Sequence, residues 1–423
     1  MKSPFFVSIF LLIAVPVPGA EPAAAPVSPA TLVADIVAGH PELAWYVAEL
    51  DAVRAARKFA AARPDPELSV EIGRKRSRDV SGALAGEGTT WSLSLAQTFE
   101  WPGRAALRKA LANQQVELAE LGLARFRRAL AARAQTLAFG LSSADARAAA
   151  IREVADRFSA LKEIFLAREP AGLTPQLETR IIEAAELVLQ RRAVDADLAL
   201  HAALVELNQL RGLPADTPLR LSRPALAFRD APPIAELLAS ARERNFEFQT
   251  RRLELAQQDT SLLLARRERT PALTVRPFAS RETAGDRETT VGVGLSVPLP
   301  AGPRTRGAIE VADARRRQAE AALAAAEREL TRDVLTTAHA FSTRLAEIRR
   351  WPPGAANAFR EAAAAADRHY RLGAVPIGTY VELQNRYLDA IEAMLDSQRA
   401  ALESGLHLQH LTGLDFEPVT AEP

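Results

Sequence analysis

The most constraining feature of this 423-residue sequence is an internal duplication with an offset of about 200 residues. Four pairs of segments carry it: residues 66–70 and 271–275, residues 89–95 and 289–295, residues 172–175 and 373–376, and residues 212–213 and 413–414. Solenoid repeats have periods of roughly 20–50 residues, and each copy here is far longer. The sequence therefore predicts one large supersecondary unit that occurs twice.

Each copy is predicted to contain a helix, a strand, a loop, a strand, a very long helix, a turn and a final helix. In the first copy the predicted segments are a helix at 41–62, a strand at 67–73, a loop that contains the basic segment 74–79 and several glycines, a strand at 89–99 and a helix at 104–168. At ~1.5 Å per residue the last helix would be on the order of 100 Å long.

The long helices carry a seven-residue apolar repeat, which is typical of coiled coils. The residues that repeat are Val116, Leu123, Leu130 and Leu137 in the first copy and Leu323 and Leu330 in the second. Pro352, Pro353 and Gly354 are expected to break the second long helix, and the first copy has no equivalent. A cytoplasmic coiled-coil scaffold is the alternative interpretation of this pattern alone.

The predicted strands alternate bulky apolar residues with small or polar ones. This pattern fits either a soluble sheet over a core or a membrane barrel with lipid outside and water inside. Four strands cannot close a membrane barrel alone, and an open sheet edge in lipid leaves backbone groups without hydrogen bonds. A membrane barrel would therefore need several chains. In it Glu71 and Arg276 would face the lumen, whereas in a soluble sheet they would be ordinary surface charges.

The N-terminus and the composition indicate an exported protein. Lys2, an apolar run and the small residues Gly19 and Ala20 form a predicted signal peptide over residues 1–20. The 53 basic and 52 acidic residues nearly cancel, which argues against a nucleic-acid-binding protein. Cysteine is absent, so disulfides, thiolate metal sites and a lipoprotein anchor are excluded.

The sequence contains no recognisable catalytic set, and we expect no enzyme activity and no cofactor. His407 and His410 are three residues apart near a predicted helix end, but no third metal ligand lies close to them in the sequence. Two cations at a helix C-terminus are the simpler explanation. No metal site is predicted.

Four segments resemble the TolC-like outer-membrane factors of Gram-negative bacteria: residues 39–43 (GHPEL), 64–69 (PDPELS), 95–104 (LAQTFEWPGR) and 370–376 (YRLGAVP). The third segment looks like the strand-to-helix junction of the cobalt–zinc–cadmium efflux branch of that family. The resemblance covers nearly all of the chain from about residue 31 to residue 414.

The resemblance implies a mainly α fold with a small β part. Duplicated long-helix hairpins would form a trimeric α-barrel tunnel, and each chain would give four strands to a 12-stranded transmembrane β-barrel in the outer membrane. The implied partners are two further copies of the chain, a periplasmic adaptor protein, an inner-membrane pump of the resistance–nodulation–division type and outer-membrane lipid. The implied function is export of heavy-metal cations through the periplasm and outer membrane. Alternatives are a duct for drugs or organic solutes, or a periplasmic coiled-coil scaffold without a pore.

The resemblance also assigns roles to the two helix-hairpin tips. Their expected adaptor-contact residues are Gly172, Leu173, Thr174 and Pro175 in the first copy and Gly373, Ala374, Val375 and Pro376 in the second. Glu178, Thr379 and Glu382 are the expected periplasmic gate, although the family pattern has an acid where Thr379 stands. Three copies would turn each acid into a ring.

These observations divide the chain into six predicted parts. They are a signal peptide (1–20), a Pro/Ala-rich linker (21–30), a first repeat (31–213), an inter-repeat linker (214–232), a second repeat (233–414) and a C-terminal tail (415–423).

Overall fold

The computed structural model describes most of the chain. The described residues are 26–60, 62–101, 103–166, 173–222, 226–299, 302–352, 354–414, 416 and 420–421. The predicted signal peptide, Gly172 of the first hairpin tip, and parts of the two predicted linkers and the tail lie outside these residues.

Within its described residues, the first copy contains four helices and two strands. They are α1 (Pro29–Gly39), α2 (Pro41–Ala60), β1 (Glu67–Arg78), β2 (Leu84–Phe99), α3 (Arg104–Leu166) and α4 (Leu173–Arg211). A two-residue strand, β3 (Leu226–Ala227), lies between the copies. In this copy, a pair of antiparallel strands is thus followed by two long helices.

The second copy repeats this order. Its elements are α5 (Ile234–Arg244), α6 (Phe246–Arg267), β4 (Leu273–Ala284), β5 (Asp286–Ser296), α7 (Pro303–Arg349), α8 (Ala355–Arg371) and α9 (Ile377–Thr412). The short strand β6 (Thr420–Ala421) then pairs with β3. The predicted fold class, mainly helical with duplicated long-helix hairpins and four longer strands, is confirmed.

The break in the second long helix is also confirmed. α7 ends at Arg349, and α8 begins at Ala355 after Gly354, whose φ of 72° lies in the left-handed region. Glycine adopts this conformation without a Cβ clash, and proline cannot donate the backbone hydrogen bond that a helix interior needs. α3 runs through 63 residues without a break.

The structure corrects two predictions of local structure. Each copy starts with two short helices, whereas one was predicted, and α1 begins at Pro29 with the Ser28 side chain accepting from Thr31 N. Residues 74–78, predicted as a loop because of their charge, belong to β1 and pair with β2. The hairpin turn is shorter than predicted: Asp79 Oδ1 accepts from Ser81 N and Ala83 N at 2.9 and 3.0 Å and closes it locally.

The predicted seven-residue repeat marks the buried side of α3 only along part of its length. Val116, Leu123 and Leu130 are buried, but Leu137 is only half-buried, and Ala134 and Ala138 are fully buried near it. A straight helix has 3.6 residues per turn, so a strict repeat of seven drifts around it. The buried side of α3 packs first against α2 and then against α1 and α4.

Among the described residues, none of the helices combines the length and hydrophobicity needed to cross a lipid bilayer.

Candidate functional site: the sheet faces and the hairpin tips

The four longer strands form one antiparallel sheet in the order β1-β2-β4-β5. β2 pairs with β4, so the central pairing joins the two copies of the unit. β1 and β5 are the two edge strands of this sheet. Each edge presents a row of backbone N–H and C=O groups, which can pair with another strand.

One face of the sheet is apolar and exposed. The register pairs Leu68 with Leu95, Val70 with Leu93 and Ile72 with Trp91, which places all six side chains on this face. Ile72 is 82% exposed and Val291, on β5, is 78% exposed. We call this surface the apolar face. Soluble proteins rarely expose a contiguous apolar surface of this kind without a partner.

The opposite face, which we call the polar face, carries both predicted lumen charges. The β1–β2, β2–β4 and β4–β5 registers place Glu71 and Arg276 on it. Ser92 Oγ donates to Glu71 Oε2 at 3.2 Å, and Lys75 forms an ion pair with Glu282. The sequence pattern thus assigned these side chains to a common face correctly. Their exposure to a lumen stays a prediction.

Phe278 departs from the small or polar character of the polar face. It pairs across the strands with Gly292, where a Cβ would come within 2.8 Å of the Phe278 ring. The ring therefore covers a glycine, a known way to support a strand that lacks side-chain packing. The alternating sequence pattern did not predict this role of Phe278. Its pairing with Gly292 becomes visible only once the β4–β5 register is known.

The junction between sheet and helices is held by arginines. Arg108 donates two hydrogen bonds to the Glu100 carboxylate, at 2.9 and 2.5 Å. The Arg108 guanidinium lowers the pKa of Glu100 below its usual range. Arg104 donates to the carbonyl oxygens of Arg267, at 3.2 Å, and Thr270. The segment 95–104 therefore links the two copies where β2 becomes α3, and Arg108 is a junction residue that was not predicted from the sequence.

The second hairpin tip is a tight helix-to-helix turn. Gly373 has a φ of 74°, and its N–H donates to Tyr370 O, while Ala374 N–H donates to His369 O, both at 2.9 Å. Pro376 is the N-cap residue of α9. Gly373 and Ala374 are exposed, so this tip can meet another molecule.

The first hairpin tip is described from Leu173 onward. Leu173, Thr174 and Pro175 form the start of α4, so these three predicted contact residues are helical. Their contact with an adaptor stays a prediction.

The three predicted gate residues lie on two helices that both begin at the tips. Glu178 is half-buried on α4, whereas Thr379 and Glu382 are exposed on α9. Glu382 forms an ion pair with Arg386 one turn later, at 2.7 Å. An exposed pair of this kind contributes little to stability, and the role of Glu382 in a gate stays a prediction.

A buried aromatic cluster lies beneath the second tip. Tyr380 is fully buried, stacks on Tyr370 with ring centroids 5.1 Å apart and lies 5.2 Å from Phe158 of α3. Its hydroxyl donates to Asp367 Oδ1 at 3.4 Å. Burial raises the pKa of the Tyr380 phenol above its usual range, so the ring stays neutral.

A polar network connects the two hairpins just below this cluster. Gln384, fully buried on α9, donates to Ala363 O at 2.7 Å and accepts from Arg157 Nη1 of α3 at 3.2 Å. Arg157 also contacts Glu153 at 2.6 Å, and Glu153 pairs with Arg360 of α8 at 3.1 Å. This network was not predicted from the sequence. The sequence feature that could have indicated it is the position of Gln384 among the apolar residues of the buried side of α9.

The two histidines lie at the other end of α9. His407 is exposed and His410 is partly buried beside Phe246. Burial, helped by the charges of His407 and Arg125, lowers the pKa of His410. Within the part of the chain that the structure describes, no group of three or more His, Cys, Asp or Glu residues is placed to hold a metal ion.

The fold is that of bacterial outer-membrane channels. CusC superimposes with a TM-score of 0.72 at 14% identity, over 91% of this chain and 92% of CusC. CmeC, the outer membrane channel of Campylobacter jejuni, gives 0.72 at 12% identity over 94% and 90% of the two chains. MtrE, the outer membrane channel of Neisseria gonorrhoeae, gives 0.72 at 16% identity over 91% and 88%. Identities this low establish a shared fold.

A family model matches the second copy of the unit. Residues 237–414 match the family described as outer membrane efflux protein, from α5 to just past α9. No curated protein sequence matches the chain. Residues 95–104, which suggest the cobalt–zinc–cadmium branch, lie in the first copy, outside this match.

Proposed function

We propose that the whole chain is an outer membrane efflux protein and one subunit of a homotrimeric channel that crosses the outer membrane and extends into the periplasm. The observation that carries this proposal is the sheet, which combines an exposed apolar face with two edge strands. In lipid, every backbone polar group needs a hydrogen-bond partner, and an open edge costs several kcal/mol per unpaired group. The apolar face therefore needs lipid, and the edges need further strands.

The strand directions allow copies of the chain to supply those strands. Each strand is antiparallel to its neighbour, so β1 and β5 at the two edges run in opposite directions. β5 of one copy can therefore pair antiparallel with β1 of the next. Three copies give twelve strands, an even number that fits known transmembrane barrels and the expectation from the resembling family.

We assign residues 31–213 and 233–414 as the two repeats, joined by the linker 214–232, with residues 1–20 as a signal peptide. The paired helices of each repeat would line the periplasmic tunnel, and the chain would act as a passive duct without catalysis. An inner-membrane pump of the resistance–nodulation–division type and a periplasmic adaptor would supply energy and cargo.

We propose heavy-metal cations as the cargo. The charges on the polar face support this choice, because the registers place five acids and two bases there. They are Glu67, Glu71, Glu282, Asp286 and Glu288 against Lys75 and Arg276. A lumen lined by this face would carry net negative charge and would concentrate cations.

The cargo is tested in a strain that lacks the chain. We expect hypersensitivity to zinc, cobalt or cadmium that wild-type protein restores, with unchanged tolerance to organic drugs. Drug hypersensitivity with normal metal tolerance would instead establish a drug or solute duct. Planar-bilayer recordings of the purified channel should show cation selectivity that decreases in Glu71→Gln.

The adaptor contact is tested with single-cysteine variants, since the natural chain has no cysteine. Ala374→Cys, at the exposed second tip, is expected to cross-link to the adaptor in cells. Ser81→Cys, in the hairpin turn of the sheet, is the matched control and should not cross-link. Equal cross-linking of both variants, or of neither, contradicts the proposed contact.

A further inference from the structure

Toward the hairpin end of the sheet, the side chains on the apolar face change from apolar residues to a row of arginines. On β1 the alternate residues Leu68, Val70 and Ile72 are followed by Arg74, Arg76 and Arg78, and all six are exposed. Successive side chains of a strand point to opposite faces, so these arginines share the face of the leucine, valine and isoleucine. The change from apolar to basic occurs between Ile72 and Arg74.

The neighbouring strands add two arginines near the same end of the sheet. Arg281 of β4 pairs with Trp91 of β2, and Arg287 of β5 pairs with Thr283. Both lie on the apolar face. Arg281 pairs with Trp91, which belongs to that face, and Arg287 is four residues before Val291 on β5, so these two side chains lie on the same side of the strand. We call the five residues the arginine belt: Arg74, Arg76, Arg78, Arg281 and Arg287.

The arginine belt is only weakly compensated by acidic groups. On this face the four described strands carry one acid, Glu87, which forms an ion pair with Arg76. Asp79 lies in the adjacent turn and accepts hydrogen bonds from Ser81 and Ala83, while Arg78 donates to Gly82 O at 2.9 Å. The chain as a whole has 53 basic and 52 acidic residues, so a bulk excess of basic residues does not explain this segregation.

The position of the belt matches a membrane headgroup layer. Trp91 and Phe99 are eight residues apart on β2 and delimit the apolar stretch, about 27 Å along the strand. At a strand tilt of about 40° this spans about 20 Å of membrane thickness, close to the ~25 Å apolar band of outer-membrane barrels. Aromatic side chains commonly mark both edges of that band. Arg281 lies level with Trp91, the other four arginines of the belt lie beyond it at the hairpin end of the sheet, and the long helices begin beyond Phe99 at the opposite end.

We propose that the arginine belt binds the phosphate groups of the glycolipid (lipopolysaccharide) in the outer leaflet of the outer membrane. This inference rests on the proposed membrane channel, which places the helices in the periplasm and the belt at the outer leaflet. Guanidinium groups bind phosphate through two parallel hydrogen bonds, which a lysine ammonium cannot form. All five basic residues of the belt are arginines, and three copies of the chain would form a ring of them around the barrel.

The test measures glycolipid binding to the purified full-length protein in detergent by native mass spectrometry. The probe is lipid A with two phosphates, and lipid A without phosphates is the comparison ligand. The variant Arg74→Gln/Arg76→Gln/Arg78→Gln is expected to bind the phosphorylated probe roughly tenfold to a hundredfold more weakly, since one basic residue near an anionic surface contributes about fivefold. Arg74→Lys/Arg76→Lys/Arg78→Lys keeps the charge and is expected to show an intermediate loss.

The matched control is Arg315→Gln/Arg317→Gln/Arg328→Gln, which removes the same charge from exposed positions of α7. This control should bind the probe like wild type. Equal binding by wild type and the β1 glutamine variant, or equal binding of the two lipids by wild type, would overturn the inference. The binding comparisons require that the wild-type protein forms trimers and conducts ions. A wild-type protein that does neither would refute the proposed channel instead.

Discussion

Gln384 illustrates how a single buried polar residue joins the two hairpins of the chain. Its amide bonds to α8 through Ala363 O and to α3 through Arg157, and its side chain has no exposure to solvent. A buried hydrogen-bonding group is expensive to leave unpaired, so both partners depend on this residue.

Gln384→Ala is expected to lower the free energy of unfolding by roughly 2–4 kcal/mol, because it leaves a cavity and removes both hydrogen bonds. Thermal and denaturant unfolding of the purified protein measure this loss. Gln318→Ala, at an exposed position of α7, is the control and should change stability little. A Gln384→Ala protein as stable as wild type would show that the network does not hold the hairpins together.

His410 makes stability depend on pH near neutrality. Its pKa is lowered in the folded protein relative to the ordinary value of 6.5, so the unfolded chain binds a proton more readily. The folded state therefore keeps its full stability above pH 6.5 and loses part of it as the pH falls below 6.5. His410→Gln should reduce this acid-side loss in unfolding measurements between pH 7.5 and about 5. The same exchange at exposed His339 of α7 serves as the control, and an unchanged slope in His410→Gln would contradict the assignment.

Residue-level expectations from the sequence were accurate where a local rule decides the outcome. The helix break at Gly354 and the turn at Gly373 follow from backbone chemistry that is visible in the sequence. Arg108, Gln384 and Phe278 were missed because their roles depend on partners far away in the chain or across a strand register.

At the scale of elements, the close approach of β2 and β4 joins the two copies of the unit. A Cβ at Gly88 would overlap the Thr283 carbonyl oxygen, and one at Gly86 would lie 2.5 Å from Ala284 backbone atoms. At Gly73 the only near neighbour is the Thr90 methyl group, at 3.1 Å, which belongs to a side chain that can turn. A substitution at Gly86 or Gly88 would therefore displace backbone atoms, whereas one at Gly73 would displace only a side-chain methyl group.

Gly88→Ala is expected to destabilise the sheet by about 3 kcal/mol or more, because the backbone of β4 would have to move. The measurement is the fraction of purified protein that runs as a heat-modifiable oligomer on gels. Gly73→Ala is the matched control and should assemble nearly as wild type does. Normal assembly of Gly88→Ala would mean that β2 and β4 do not approach each other as described.

The start of α9 carries the gate prediction. Glu382→Ala removes an exposed acid near the second tip and is expected to raise single-channel conductance or lower cation selectivity in planar bilayers, since three such acids would attract and restrict cations at the mouth. Glu403→Ala, which breaks a similar exposed pair with Arg399 far along α9, is the control. Unchanged conductance and unchanged selectivity in Glu382→Ala would remove this residue from the gate.

Element order could be predicted from the sequence because the duplication, the strand alternation and the long helical segments are each strong patterns. Element limits could not be predicted everywhere. Residues 74–78 looked like a loop because of their charge, but cross-strand pairing extends β1 through them. The seven-residue repeat identified the buried side of α3 at Val116 and missed its drift toward Ala134, which depends on the packing of α1 and α4 there.

At the scale of the whole molecule, the sheet of one chain has an exposed apolar face and two edge strands that run in opposite directions. The proposed trimeric channel rests on these two properties, because an edge strand can pair with a strand of another chain. The charges follow the same division, with acids in excess on the polar face and arginines at the hairpin end of the apolar face. Both faces of the sheet are thus explained by one assembly.

The mass of the purified protein in detergent tests this assembly most directly. Native mass spectrometry or light scattering with the detergent subtracted should give three chains per particle, and the same particles should form ion-conducting channels in planar bilayers. A monomer that stays soluble without detergent and forms no channels would contradict the account, because the edges and the apolar face would then need no partner.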